Sequence, residues 1–305
     1  MNYVLKRIAM FVPLMLVISF FAFVLVRLAP GGPFDREREP ASPEIEQRLR
    51  AKYHLDEPLW RQYARFLGDL AHGDFGASMK YRHHAVTDII FQGLPVSATL
   101  GILAFGVAIG IGIPLGVVSA ARSGTLIDSA GSLVALVAVC LPTFVIGPLL
   151  IMVFAIRWQW FPVALWETPR HAVLPSLTLG LYFAGKVARL TREGMLEVLQ
   201  AEFVVVACAK GLSEPALLLK HAFRLAVLPV VSYAGPLLAD LLTGSFVVEN
   251  LFQVPGIGVF LVNSSLNRDY PMVVGLTLLY AAILLVLNLV VDLCYTLFDP
   301  RVRYE

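Results

Sequence analysis

Six stretches of this chain approach the ~20 predominantly apolar residues that a helix needs to cross a hydrocarbon core of ~30 Å. They fall at Ile8–Leu28, Leu94–Ala121, Leu126–Ile156, His171–Leu190, Ala226–Val248 and Pro271–Phe298. The third and sixth are longer than one crossing requires and are expected to tilt or extend beyond the bilayer. The fold class read from this pattern is an all-α membrane protein with six transmembrane helices. Composition agrees, since 58% of the 305 residues are hydrophobic and only 15% charged, with mean hydropathy +0.74. A soluble domain would be roughly a quarter charged.

Lys6 and Arg7 ahead of the first apolar run resemble the start of a signal peptide. The run is too long for that, and Pro30-Gly31-Gly32-Pro33 follows it instead of a small-residue cleavage site. It is read as a retained helix. With the N-terminus inside, the cytoplasmic segments carry Lys6, Arg7, Arg122, Lys186, Arg189, Arg192, Lys210, Lys220, Arg224, Arg301 and Arg303. The short outer loops carry Arg157, Arg170 and Arg268. By the positive-inside rule both termini are expected in the cytoplasm.

Residues 29–93 form an outer loop of a different kind. Four prolines (30, 33, 40 and 43) interrupt its start, after which Ser42-Pro43-Glu44 reads as a cap and first turn, with Ile45, Leu49 and Tyr53 at helical spacing. A second amphipathic run, Trp60, Tyr63, Ala64, Leu67 and Leu70, ends at His72-Gly73-Asp74-Phe75-Gly76. The near balance of acidic and basic residues suits a small folded external module. The chain therefore divides into a first transmembrane helix (1–28), an external module (29–93) and a five-helix core (94–305). In the second span Gly106 and Gly110 form one GxxxG pair, and Gly112 and Gly116 another. Their faces differ by roughly 240°, so both sides of the helix permit close packing and the helix is expected inside the bundle.

Few residues suggest chemistry. Intramembrane ionisable groups are functional candidates by default, and here they are Arg27, Asp240, Glu249 and Asp292. Arg27 and Glu249 lie near outer span ends, where they can snorkel, and Asp292 lies near an inner end, where an ion pair or cap accounts for it. Asp240 is expected to be deep, without a matching cation. His83-His84 do not share a helix face and lack supporting ligands. Cys140, Cys208 and Cys294 show no metal or disulfide spacing. No phosphate-binding loop, nucleophile elbow or zinc motif occurs, and Gly256-Ile257-Gly258 reads as an outer-loop turn between the fifth and sixth spans. A net charge of +2 without clustering gives no nucleic-acid footprint.

The stretch from Glu202 to Pro229 is too polar to be buried in lipid and too regular for a slack loop. Ala209-Lys210-Gly211-Leu212 reads as a helix stop, with Gly211 left-handed. Ser213 caps a second helix with Pro215 in its first turn. Such a hairpin between two spans is suited to docking on a partner.

The chain resembles the membrane-spanning permease subunits of ATP-binding-cassette importers for peptides, in particular the oligopeptide-permease B type. The likeness is carried by RLAPGGPF (Arg27–Phe34), KYHLDEP (Lys52–Pro58), LAHGDFGAS (Leu70–Ser78), LPVSATLG (Leu94–Gly101) and RLTREGMLEVL (Arg189–Leu199). It continues through AKGL (Ala209–Leu212), HAFRLAVLPVVSYAGP (His221–Pro236), VPGIGVFLVNSSLNRDYP (Val254–Pro271) and FDPRVRY (Phe298–Tyr304). It implies a type I importer permease fold in a bacterial inner membrane, with the coupling helices at about 193–226. By that resemblance Glu202, Phe203, Val205, Val206, Cys208, Ala209, Lys210, Gly211, Leu212 and Ser213 form the surface that couples to an ATPase. Relatives commonly carry Tyr, Arg, Thr and Arg where this chain has Phe203, Val205, Val206 and Cys208, which implies a greasier interface.

The implied partners are a second homologous permease, two ATP-binding-cassette ATPases and an extracytoplasmic peptide-binding protein, with membrane lipid around them. ATP and Mg belong to the ATPases, and this chain is expected to bind no cofactor and to catalyse nothing. Dipeptides, murein peptides and nickel chelates are the alternative cargoes within such a family. Outside it stand a secondary transporter working through Asp240, and a receptor built on the external module.

Overall fold

The computed structural model describes residues 2–28, 47–48, 51, 53–81 and 84–298. The expected cap at Ser42-Pro43-Glu44, Ile45 and Leu49, together with His83, Arg301 and Arg303, lies outside them. The regular elements among the described residues are all helices, apart from one isolated bridge between Ala77 and Ala85.

Helix α1 (Asn2–Leu28) is followed by α2 (Leu59–Ala71) and then α3 (Val86–Ala121). α4 (Leu126–Cys140) and α5 (Thr143–Leu150, running on to Arg157 as a π-helix) follow. α6 (Val173–Leu199) leads to α7 (Glu202–Ala209), and α8 is assembled from Glu214–Ala216, Leu217–Ala222 and Phe223–Ala226. α9 (Leu228–Leu242), α10 (Phe246–Phe252), α11 (Ile257–Leu266) and α12 (Tyr270–Phe298) complete the chain. α1, α3, α4 with α5, α6, α9 and α12 stand where the six apolar stretches were read.

Several boundaries differ from the sequence reading: α3 begins at Val86, within the stretch 29–93 read as the external module, and α6 runs on to Leu199, past Leu190. The third span bends by 105° between α4 and α5. Pro142 offers no amide to the helix, and Leu141 before it takes φ −79°, ψ 118°, the extended state that a following proline favours. The fifth span ends at Leu242 instead of Val248, because Thr243 and Gly244 (φ +84°) turn the chain. PGIG is then no simple outer turn. It opens α11, which with α10 makes an apolar pair bent by 108° at Gln253, a residue in the left-handed region at φ 52°.

α6 is the centre of the bundle. Leu174, Leu179, Phe183 and Val187 join Leu100, Ala104 and Ala108 of α3, Val230, Leu237 and Leu241 of α9, and Val248 and Phe252 of α10 in one core. Gly112 and Gly116 of α3 meet α6 so closely that a Cβ on Gly116 would lie 2.5 Å from the Ala188 carbonyl oxygen. Gly106 and Gly110 face open space. Only one of the two glycine faces is packed within this chain, so α3 is not enclosed on both sides as its pattern suggested.

Candidate functional site

The hairpin after α6 begins with α7, whose last amide bonds run on through Lys210 N to Val206 O at 3.1 Å and Leu212 N to Ala207 O at 3.3 Å. Gly211 stands between the two helices at φ +78°. An L side chain there meets no atom within 4 Å but is strained by the backbone itself. α8 starts as the Leu217 amide bonds the Ser213 carbonyl at 2.9 Å. A 53° bend at Val227 then joins it to α9.

The hairpin is seated on the bundle by its inner face. Ala222 and Ala226 pack with Met195 of α6 and Ala120 of α3, flanked by Val117, Leu196, Leu218 and Phe223. Gly194 touches the Ala226 backbone with no room for a Cβ. Among the site residues read from sequence, Glu202, Phe203, Val206, Ala209, Lys210, Gly211 and Ser213 are exposed, and Leu212 is half-buried. The backbone places Val205 and Cys208 on α7 with them. The uncovered surface includes large apolar side chains: Phe203 is 43% exposed, Val206 52% and Leu219 63%.

One support of this region was not anticipated. Arg192 of α6 donates through Nε to Asp128 Oδ1 at 2.6 Å and through its terminal nitrogen to Oδ2 at 2.8 Å. This is the bidentate geometry that suits a guanidinium. Asp128 also accepts the Gly124 amide at 3.0 Å, so the α3–α4 turn, the start of α4 and the lower part of α6 are one hydrogen-bonded unit. A sequence signal did exist, since Thr125 and Asp128 form a cap and first turn and Arg192 stands in a block shared with the resembled family.

At the opposite end, Asp269 is fully buried and accepts bonds from the Ser78 hydroxyl, the Met79 amide (3.1 Å) and the Lys80 amide (3.3 Å). It thereby ties the end of the external module to the start of α12. Burial, with the Asp269 charge second, pushes the neighbouring Tyr81 phenol above its ordinary value. α2 is tied to α1 by Arg27 Nε to Gln62 Oε1 at 3.0 Å and by Tyr63 against Ser19 at 2.9 Å.

Among the remaining ionisable candidates, Glu249 and Arg27 are placed differently from expectation, whereas Asp292 makes the ion pair expected of it. Glu249 does not snorkel. It is fully buried and takes the Ser97 hydroxyl at 2.7 Å and the Val259 amide at 3.2 Å. Asp240 is exposed on α9, with Tyr280 donating to it at 2.8 Å. Arg27 does not reach freely outward but lies over the Phe23 ring at 3.5 Å. Asp292 pairs with Arg7, joining α12 to α1. His84 bonds through its backbone, its carbonyl accepting the Ser78 amide and its own amide donating to the Tyr81 carbonyl, each at 3.2 Å. No group of three metal-ligating side chains occurs among the described residues.

Known proteins resemble this chain over its whole length. The oligopeptide transport system permease protein OppB of Haemophilus influenzae is 40% identical over 306 residues, covering 100% of both chains. OppB of Salmonella typhimurium is 41% identical, also over 100% of both. The dipeptide transport system permease protein DppB of Bacillus subtilis is 40% identical over 302 residues, 99% of this chain and 98% of its own. A crystal structure described as an amino acid ABC transporter with histidines aligns at a TM-score of 0.49 and 18% identity, over 71% of this chain and 95% of that one. Residues 112–304, from the packed glycines of α3 through the hairpin to the end of α12, match the family described as binding-protein-dependent transport system inner membrane component. With full-length identity at this level beside that match, the chain belongs to this family of multi-pass inner membrane proteins.

Proposed function

We propose that the chain is the membrane-spanning subunit of an ATP-driven peptide importer, and that Glu202–Pro229 is where it couples to an ATPase. The observation that carries the reading is the hairpin itself: two helices around Gly211, with Phe203, Val206 and Leu219 turned outward, and seated on α6 at Gly194 without compressible side chains between. ATP binding closes a pair of ATPase chains, their grooves displace α7 and α8, and α6 and α9 convey the shift into the bundle. On this reading the hairpin and both termini are cytoplasmic, ATP and Mg are used by the partners, and this chain binds no cofactor. Six spans make half of a path, so a second permease faces this one. The external module, braced on α1 and α12, helps receive the peptide-binding protein.

The expected cargo is an oligopeptide, by analogy with the OppB proteins. A dipeptide is the second reading, because the B. subtilis DppB protein is as similar. A secondary transporter working through Asp240 predicts uptake by this chain alone, driven by an ion gradient. Gly211→Arg tests the coupling role, since it strains the turn and projects a long cation into the docking surface. Peptide uptake and peptide-stimulated ATP hydrolysis are expected to vanish while membrane insertion is unchanged. Normal uptake in this variant refutes the coupling assignment.

A further inference from the structure

Between α6, α9 and α12 lies a polar face within the spans that the coupling hairpin does not use. On α9 the uncovered positions include Ser232, Pro236 and Asp240, with Tyr233 half-buried beside them. No large apolar side chain of α9 is among the exposed ones, whereas α1, α4 and α12 all turn leucines or other large aliphatic residues outward. A helix face of this composition is mismatched to lipid and suits a water-filled path.

Two opposite charges stand on this face without neutralising each other. Asp240 holds the Tyr280 hydroxyl at 2.8 Å. Lys186 of α6 has its ammonium 4.9 Å from the Tyr182 ring centre and 5.5 Å from that of Phe183. Tyr233 is close enough to feel the charges of both Lys186 and Asp240. Neither charged group has an ion-pair partner among the described residues. An ammonium has three donors, so Lys186 has hydrogen bonds to offer a carboxylate.

The spacing is that of a short peptide. Tyr233 and Asp240 are seven residues apart on α9, which puts them on one side of the helix and separates them by ~10 Å along its axis. An extended chain advances ~3.3–3.6 Å per residue, so ~10 Å corresponds to about three residues. We propose that this face is a peptide-contact site on the transport path, in which Asp240 with Tyr280 takes the amino-terminal ammonium and Lys186 with Tyr233 takes the carboxy-terminal carboxylate. The assignment rests on the peptide-importer reading above. It names the cargo as a zwitterionic peptide and gives its orientation along the path.

The test uses the complete transporter in proteoliposomes, with its binding protein and ATP. Tripeptides carrying a benzophenone photo-crosslinker at the first or the last residue are trapped during turnover, and the labelled segments are identified by mass spectrometry. The first-residue probe is expected to label α9 near Asp240 or α12 near Tyr280, and the last-residue probe α6 near Lys186. Asp240→Asn and Lys186→Gln are each expected to lower tripeptide uptake by about tenfold, the scale of one lost charge-assisted contact. Stimulation of ATP hydrolysis by the liganded binding protein is retained, and Asp240→Glu recovers most of the uptake. Where a charge variant does not assemble, Tyr280→Phe and Tyr233→Phe remove only a hydroxyl and are expected to cost roughly threefold each. Reversed or absent labelling, or wild-type uptake in Asp240→Asn, overturns the site. Absence of ATP-dependent peptide uptake with the unaltered chain overturns the importer reading instead.

Discussion

Replacing Glu249 with alanine isolates what a fully buried carboxylate contributes to the bent pair α10–α11. In the native protein its two oxygens take the Ser97 hydroxyl at 2.7 Å and the Val259 amide at 3.2 Å, and the Ser97 oxygen in turn accepts the Ile257 amide at 2.8 Å. The alanine variant strands the Val259 amide and removes the acceptor for Ser97, two losses of about 1–3 kcal/mol and about 1 kcal/mol. The vacated space adds to this. The sum, about 3 kcal/mol, corresponds to local opening on the order of 100-fold more frequent, since each ~1.4 kcal/mol is a factor of ten. Hydrogen–deuterium exchange of the purified protein reads this segment by segment. Amides of 248–259 are expected to exchange on the order of 100-fold faster, while those in the middle of α6 keep their rates. Glu249→Gln keeps one acceptor oxygen and loses about tenfold of protection, because the Ser97 hydroxyl then faces a donor. Unchanged protection of 248–259 in the alanine variant refutes the claim that Glu249 holds this pair to α3.

Gly116→Ala forces a Cβ into the Ala188 backbone and is expected to cost about 1–3 kcal/mol net, whereas Gly110→Ala, which meets nothing within 4 Å, gains up to ~1 kcal/mol of helix propensity. Thermal unfolding of the two variants in detergent should move in opposite directions. Asp269→Ala frees the end of the external module from α12, and faster limited proteolysis within 72–81 is the expected result. Arg192→Gln leaves a single weak donor to Asp128, and ATP hydrolysed per peptide imported should rise because the α3–α4 turn no longer moves with α6. An unchanged ratio with normal membrane levels speaks against that role.

The spans and the hairpin were legible because each is signalled locally. Apolar runs give the helices their positions, and Gly211 marks the turn through a conformation that L residues adopt only at a cost. The bend at Pro142 was visible as a proline, but its size depends on how α5 packs against α6 and α10. The pair α10–α11 was hidden by its own composition. Phe246–Leu266 is as apolar as the fifth span, and the signal that divides them is one left-handed glycine, Gly244. Glu249 looked like a snorkelling residue because its partner Ser97 stands 152 positions away in the sequence. Lys186 was counted with the loop charges for the same reason: only the packing of α6 against α9 brings it to Tyr233. The residues that pair across elements are those a linear pattern does not reveal.

α6 explains how events at the hairpin can be felt along the path. Its neighbours approach it through glycines: Gly180 against Ala104 and Val107 of α3, Gly185 against Ala135 of α4, and Gly194 against Ala226 of α8. Backbone packed on backbone has little side-chain play to absorb a displacement. A shift of α8 therefore moves α6 as a body, and Lys186 lies on α6 between Gly185 and Gly194. Tyr233 and Asp240 sit on α9, which leaves the hairpin at its other end through the bend at Val227. The two poles of the polar face are thus carried by the two helices that the hairpin joins. Movement of the hairpin that rotates α6 against α9 changes the distance between Lys186 and Asp240, and a peptide held at both ends loses one contact without either residue changing its charge. On the proposed reading, the hairpin that receives the stroke and the groups that hold the cargo are joined by one helix on each side.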